Sequence, residues 1–144
     1  MAGLGKEYHL CRQYHQKNGG RMYTEVPVPW SKAHGDWPAG YHPLSIDAIR
    51  LLSPEYDDKV TQFMRNRGQL LERVEGSIIE VIEVKPSLNR SVIGQAIIGS
   101  EMVAKDYRPS EIQRVVVCEK VNPALEPYCQ NHDIRIEVCE VETE

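Results

Sequence analysis

The chain has 144 residues, about the modal size of one domain, and its 41% hydrophobic and 26% charged content fits a soluble globular protein with a single core. No stretch approaches the roughly 18 apolar residues that span a bilayer, and the opening MAGLGKEYHL lacks an apolar h-region. The expectation is therefore a cytoplasmic protein with no membrane segment and no secretory signal. A net charge of −4 argues against a protein that blankets nucleic acid.

The charge is unevenly spread. Residues 1–73 hold ten Lys/Arg against eight Asp/Glu, and residues 74–144 hold seven against thirteen, much of the acid lying in the C-terminal IRIEVCEVETE. Lys59, Arg65, Arg67 and Arg73 cluster near the middle, which is the pattern either of a DNA-facing segment or of a solvated face.

In chain order, residues 5–18 are expected to form a helix stopped by Gly19-Gly20, and 21–30 a strand whose Pro27 and Pro29 push its end to an edge. Residues 31–43 are a Gly/Pro/aromatic loop beside Trp30 and containing Trp37, the composition of a packed lid or a binding element. A second strand is expected at 44–52, a helix or helical insertion at 54–76, and a third strand at 77–85. Asn89 is placed to cap a helix over 88–107; a strand at 112–121, a short helix at 122–132 and a last strand at 134–142 follow. The order α-β-β-(α)-β-α-β-α-β predicts one α/β domain over 1–144, with helices around a mixed sheet.

Cys11, Cys118, Cys129 and Cys139 show no CxxC spacing and are expected to be reduced, buried small hydrophobes. His9, Cys11 and His15 crowd one segment, but no second ligand pair at finger spacing follows, so no zinc site is expected.

Several acids stand on faces expected to point inward. The strand period of two groups Ile79, Val81, Glu83 and Lys85 on one face, and Asp47 with Ile49 and Leu51 on another strand. On the first helix Glu7 falls in line with Leu4, Cys11 and Tyr14. Carboxylates gathered at one place raise one another's pKa unless a cation holds them, and hard oxygen ligands suit Mg²⁺ or Mn²⁺. The alternative is structural: Glu83 and Lys85 pair across the sheet, and Asp47 caps a turn or meets an arginine. Glu80, on the opposite face from Glu83, is assigned to such structural pairing.

Glu7 on an opening helix, Asp47 on the second strand, Glu83-Val84-Lys85 on the third and Gln95 on the next helix together resemble the PD-(D/E)xK nuclease superfamily, in particular its small resolvases and restriction-type endonucleases. The resemblance covers roughly residues 5–121. It implies a restriction-endonuclease-like α-β-β-β-α-β core with a mixed central sheet flanked by helices, and a metal-dependent DNA endonuclease acting as a homodimer. It also implies roles. Asp47, Glu83 and the Val84 carbonyl ligate Mg²⁺ or Mn²⁺, and Glu7 completes the outer shell or a second site. Lys85 orients the attacking water or stabilises transition-state charge, and Gln95 positions a phosphate or that water. Glu25, on the first strand, is the rival acid. The competing readings are a non-catalytic module of the same fold that binds nucleic acid or a protein, and an unrelated α/β domain whose acids are structural.

Overall fold

The computed structural model describes residues 5–28 and 44–140, Arg67 by its backbone alone. The loop at 31–43, with Trp30 and Trp37, lies outside the described residues. Among the described residues no helix is long and apolar enough to cross a membrane.

Helix α1 (Lys6–Asn18) buries Leu10 and Tyr14 completely, and Gly19, at φ 68°, ends it with its N–H on the His15 carbonyl. A positive φ of this kind is readily adopted by glycine, which has no Cβ to clash. Strands β1 (Met22–Val28) and β2 (Leu44–Leu51) pair antiparallel. Next come the short β3 (Val60–Gln62), a 3-10 turn (Phe63–Arg65), α2 (Arg67–Val74) and β4 (Ile78–Val84). Helix α3 (Arg90–Tyr107), β5 (Glu111–Cys118), α4 (Glu126–Asn131) and β6 (Ile134–Val138) complete the chain. The N-cap expected at Asn89 is present: its Oδ1 accepts the Val92 N–H at 2.8 Å, a contact worth about 1 kcal/mol.

The sheet has six strands in the order β3-β1-β2-β4-β5-β6. The β1–β2 and β2–β4 pairings are antiparallel, and β3–β1, β4–β5 and β5–β6 are parallel. The architecture is therefore α/β with a mixed sheet flanked by helices. One face packs on α1, where Leu10 and Tyr14 meet Ile82, Val84, Val115 and Val117. The other packs on α2 and α3, where Leu70, Val74, Val103 and Tyr107 meet Ile49, Leu51, Ile79 and Val81. The four cysteines are free thiols, three of them buried.

The continuous helix expected at 54–76 does not form. Only Arg67–Val74 is α-helical, and Val60–Gln62 instead adds a parallel edge strand to Met22–Thr24. The β-branched Val60 and Thr61 favour that extended backbone, and the partner strand lies far away in sequence. A polar clasp fixes the insertion. Buried Arg21 donates to Asp57 (3.1 Å), Thr61 Oγ1 (2.7 Å) and Gln69 Oε1 (2.9 Å). Tyr23 also bonds Gln69, and Arg73 donates to the Tyr23 hydroxyl at 3.2 Å while its guanidinium lies 4.4 Å from the Tyr56 ring centroid.

Glu80 is indeed structural. It is only 1% exposed, beneath α1, and accepts from Arg50 (2.8 and 3.0 Å), Arg135 (2.7 Å) and the Tyr14 hydroxyl (2.7 Å). Burial alone would raise its pKa, but these donors hold it below the usual carboxylate range.

Candidate active site

The β2–β4 ladder runs from Leu51↔Ile79 to Ala48↔Ile82 and stops there. The next residues on the two strands are Asp47 and Glu83, and at this break side chains take the backbone donors. Asp47 Oδ2 accepts the Val84 N–H at 2.8 Å, and Glu83 Oε1 takes the Asp47 N–H in a long contact of 3.4 Å. Two acids from separate strands thus flank the point where the sheet opens, each taking a backbone donor of the other strand. Their second oxygens, Asp47 Oδ1 and Glu83 Oε2, make no hydrogen bond to a described residue.

Asp47 does not share a face with Ile49 and Leu51, as strict alternation predicts. On the paired strand Glu25 has φ 54°, and pairing lapses between Thr24↔Ala48 and Val26↔Ile46. No residue is inserted, since the register is the same on both sides of the lapse, yet Tyr23 and Val26 on β1, like Ile46 and Ile49 on β2, fall in the same core cluster across it. Ile46 joins Ile49 in the core on the α3 side, close enough that a Cβ on Gly99 would lie 2.6 Å from its Cδ1. Asp47 is left turned towards α1, where its charge, second to burial, pushes the Cys11 thiol up to about 11.

Lys85 stands one residue past the end of β4, its N–H still on the Val117 carbonyl of β5. Its Nζ lies 3.8 Å from Glu7 on α1. Glu7 itself is half exposed at the head of α1 rather than on the buried stripe of Leu10 and Tyr14. Glu7, Asp47, Glu83 and Lys85 are mutually within electrostatic reach. Burial raises the pKa of Asp47, the Val84 N–H and Lys85 oppose this, and Glu7 and Glu25 add to it. Glu83 is 3% exposed, and burial first, then the Asp47 charge, push it up to about 8.

The break opens on both faces of the sheet. On the α1 side a cavity of about 570 Å³ is lined by Glu7, Glu25 and Asp47, with Met22 and Val84 among its apolar walls. On the α3 side Glu83 lines a smaller space of about 370 Å³ with Gln95. Gln95 is exposed and therefore faces Glu83 rather than the cavity of Asp47 and Glu7. The rival acid Glu25 does reach the site, lining the Asp47 cavity while its carboxylate is bonded by Gln62.

Of the basic residues expected to face DNA, Lys59 and Arg65 are exposed, whereas Arg73 is committed to Tyr23 and Tyr56. The side chain of Arg67 lies outside the described residues.

Among the described residues no group of three or more His, Cys, Asp and Glu side chains forms a ready-made metal cage. The donor set nevertheless fits a hard divalent ion. Mg²⁺ typically keeps several waters and binds through only one or two carboxylates, and Asp47 and Glu83, each with a raised pKa and one oxygen without a hydrogen bond to a described residue, stand on either side of the ladder's end. A bound cation would stabilise the ionised form of both.

Sequence reasoning missed the polar wall of the α1-side cavity, formed by Tyr8, Arg12, His15 and Gln16. Its signal was the i, i+4 rows 7/11/15 and 8/12/16 that flank the buried Leu10 and Tyr14. Comparison of the chain with protein-family models, with curated proteins and with solved structures finds no match.

Proposed function

We propose that the chain is a divalent-metal-dependent DNA endonuclease built on a PD-(D/E)xK-type core. The observation that carries this reading is the placement of Asp47 and Glu83 on either side of the open end of the β2–β4 ladder, with Lys85 and Glu7 within electrostatic reach of both. Structural acids satisfy themselves as Glu80 does, with donors on both oxygens and a lowered pKa. Asp47 and Glu83 each keep one oxygen without a donor among the described residues and have raised pKa values, and perturbed acids in a cleft are candidates for a functional site.

In this reading Asp47, Glu83 and the Val84 carbonyl hold Mg²⁺ or Mn²⁺, with Glu7 at its periphery. When bound, the ion supplies Lewis-acid polarisation of the phosphate and offsets the carboxylate charge. Hydrolysis consumes one water: its oxygen bonds phosphorus, one bridging P–O bond breaks, and the departing sugar oxygen takes up a proton. Lys85 donates hydrogen bonds to that water or to the phosphate oxygens as negative charge builds on them. Glu7, 3.8 Å from its ammonium, aims it. Gln95 addresses the same centre from the other face, through Glu83.

The test is cleavage of plasmid and of branched DNA with Mg²⁺, with and without chelator. Cutting abolished by chelator, by Glu83→Ala and by Lys85→Ala supports the assignment. Variants that cut as well as the parent overturn the site. DNA binding without cleavage would favour the non-catalytic module.

A further inference from the structure

The α1-side cavity bears on which DNA the site accepts. Its apolar lining is buried, with Met22 at 0% and Val84 at 1% exposure, and the half-buried Asp47 lines it beside them. Its rim is open, with Tyr8 at 43% and Val60 at 48%. The volume of about 570 Å³ lies inside the range of about 300–1,000 Å³ of pockets that enclose one small ligand, the size class of a single nucleotide. A duplex presents its phosphates on a convex cylinder with both strands stacked, and cannot pass a phosphate down to a partly buried carboxylate under α1. A strand whose nucleotide is unstacked can.

The rim also carries what an unpaired nucleotide needs. Tyr8 and Arg12 stand one turn apart on α1, joined by a 3.4 Å contact between Arg12 Nη1 and the Tyr8 hydroxyl. Arg12 makes no ion pair among the described residues, so its guanidinium is available to a phosphate. The exposed Tyr8 ring is a stacking surface, and aromatic stacking with a basic track is how single strands are held without sequence readout. The remaining charges explain why a cation is needed as well. Glu7, Glu25 and Asp47 make the cavity acidic, which repels a phosphate unless a divalent ion offsets them.

Resting on the proposed nuclease reading, we infer that the substrate is an unpaired DNA strand, with one nucleotide entering the α1-side cavity, its base on Tyr8 and its phosphate on Arg12. One strand needs one site, so a single copy of the chain suffices.

The experiment is fluorescence anisotropy with a labelled single-stranded oligonucleotide and with its duplex, in Ca²⁺, alongside cleavage of both in Mg²⁺. The single strand is expected to bind at least about tenfold tighter than the duplex. Tyr8→Ala and Arg12→Ala are each expected to weaken it by about tenfold, with Tyr8→Trp restoring affinity and all melting temperatures unchanged. Chelator should abolish binding. Duplex binding as tight as single-strand binding, binding unaffected by either alanine variant, or a preference for single-stranded RNA overturns the inference. Efficient cleavage restricted to duplex overturns it while leaving the nuclease reading intact. Cation-dependent single-strand binding with the expected Tyr8 and Arg12 effects, but no cleavage of any DNA, sustains the cavity assignment and removes the nuclease reading.

Discussion

Asp47 Oδ2 accepts the Val84 N–H at 2.8 Å, so a side chain on β2 holds the backbone of β4 just beyond the point where the two strands stop pairing. An asparagine at position 47 keeps an oxygen for that donor but removes the charge that burial, Glu7 and Glu25 disfavour. Asp47→Asn is therefore expected to preserve the melting temperature in chelator or to raise it by up to about 4 °C, roughly 1 kcal/mol for a domain of this size. Cleavage should be lost. A fall of several kcal/mol in thermal or denaturant unfolding would show that Asp47 is structural.

Glu83 gives a pH signature. Its carboxyl is pushed up from 4.5 to about 8 by burial and by Asp47, so between these values the folded chain binds a proton that the unfolded chain has released. The Glu83 contribution to the stability of the metal-free protein is fully present below about pH 4.5 and is lost as pH rises towards 8, by up to about 1.4 kcal/mol per pH unit. The raised Asp47 acts in the same direction. Urea midpoints measured across this range in chelator should fall, and Glu83→Gln should flatten the slope. Added Mg²⁺ should restore stability most at the alkaline end.

Glu80, three residues earlier on the same strand, predicts the reverse. Its lowered pKa means stability that is present above the unfolded carboxylate value and is lost as pH falls through the folded one. Glu80→Ala strands the Arg50 guanidinium, whose side chain is 13% exposed. The expected cost is about 3 kcal/mol or more in denaturant unfolding. Cleavage per folded molecule should be unchanged well below the melting temperature. Loss of cleavage with intact folding would place Glu80 in the site.

These two acids mark what the sequence made legible. The period-two pattern of Ile78–Val84 separated Glu80 from Glu83 correctly, and Asn89 with its apolar spacing located α3. The same period misplaced Asp47, because the β1–β2 pairing lapses at that position, opposite Glu25 with its positive φ. The insertion failed for a similar reason. Phe63, Leu70 and Val74 have helical spacing and are buried, but Val60–Gln62 is claimed by Met22–Thr24, a partner that local sequence does not reveal. Tyr8 and Arg12 stand beside the inward stripe of α1 rather than on it, so the periodicity of that stripe does not reveal the cavity wall they form.

The insertion supplies the last contrast. Arg73 donates to Tyr23 and stacks on Tyr56, so Arg73→Ala should cost about 1 kcal/mol of stability and leave DNA affinity unchanged. Lys59 has its backbone fixed, its N–H on Asp57 and its carbonyl on the Met22 N–H, while its side chain is exposed next to the rim residue Val60. A lysine next to a rim residue, its side chain exposed and without an ion pair among the described residues, can meet the strand leaving the cavity. Lys59→Ala should lower single-strand affinity without changing the melting temperature, and should reduce the slope of log affinity against log salt by about 0.7, the value for one phosphate of a single strand. A salt slope that drops for Arg73→Ala and not for Lys59→Ala would put the DNA path on the α2 side of the insertion instead.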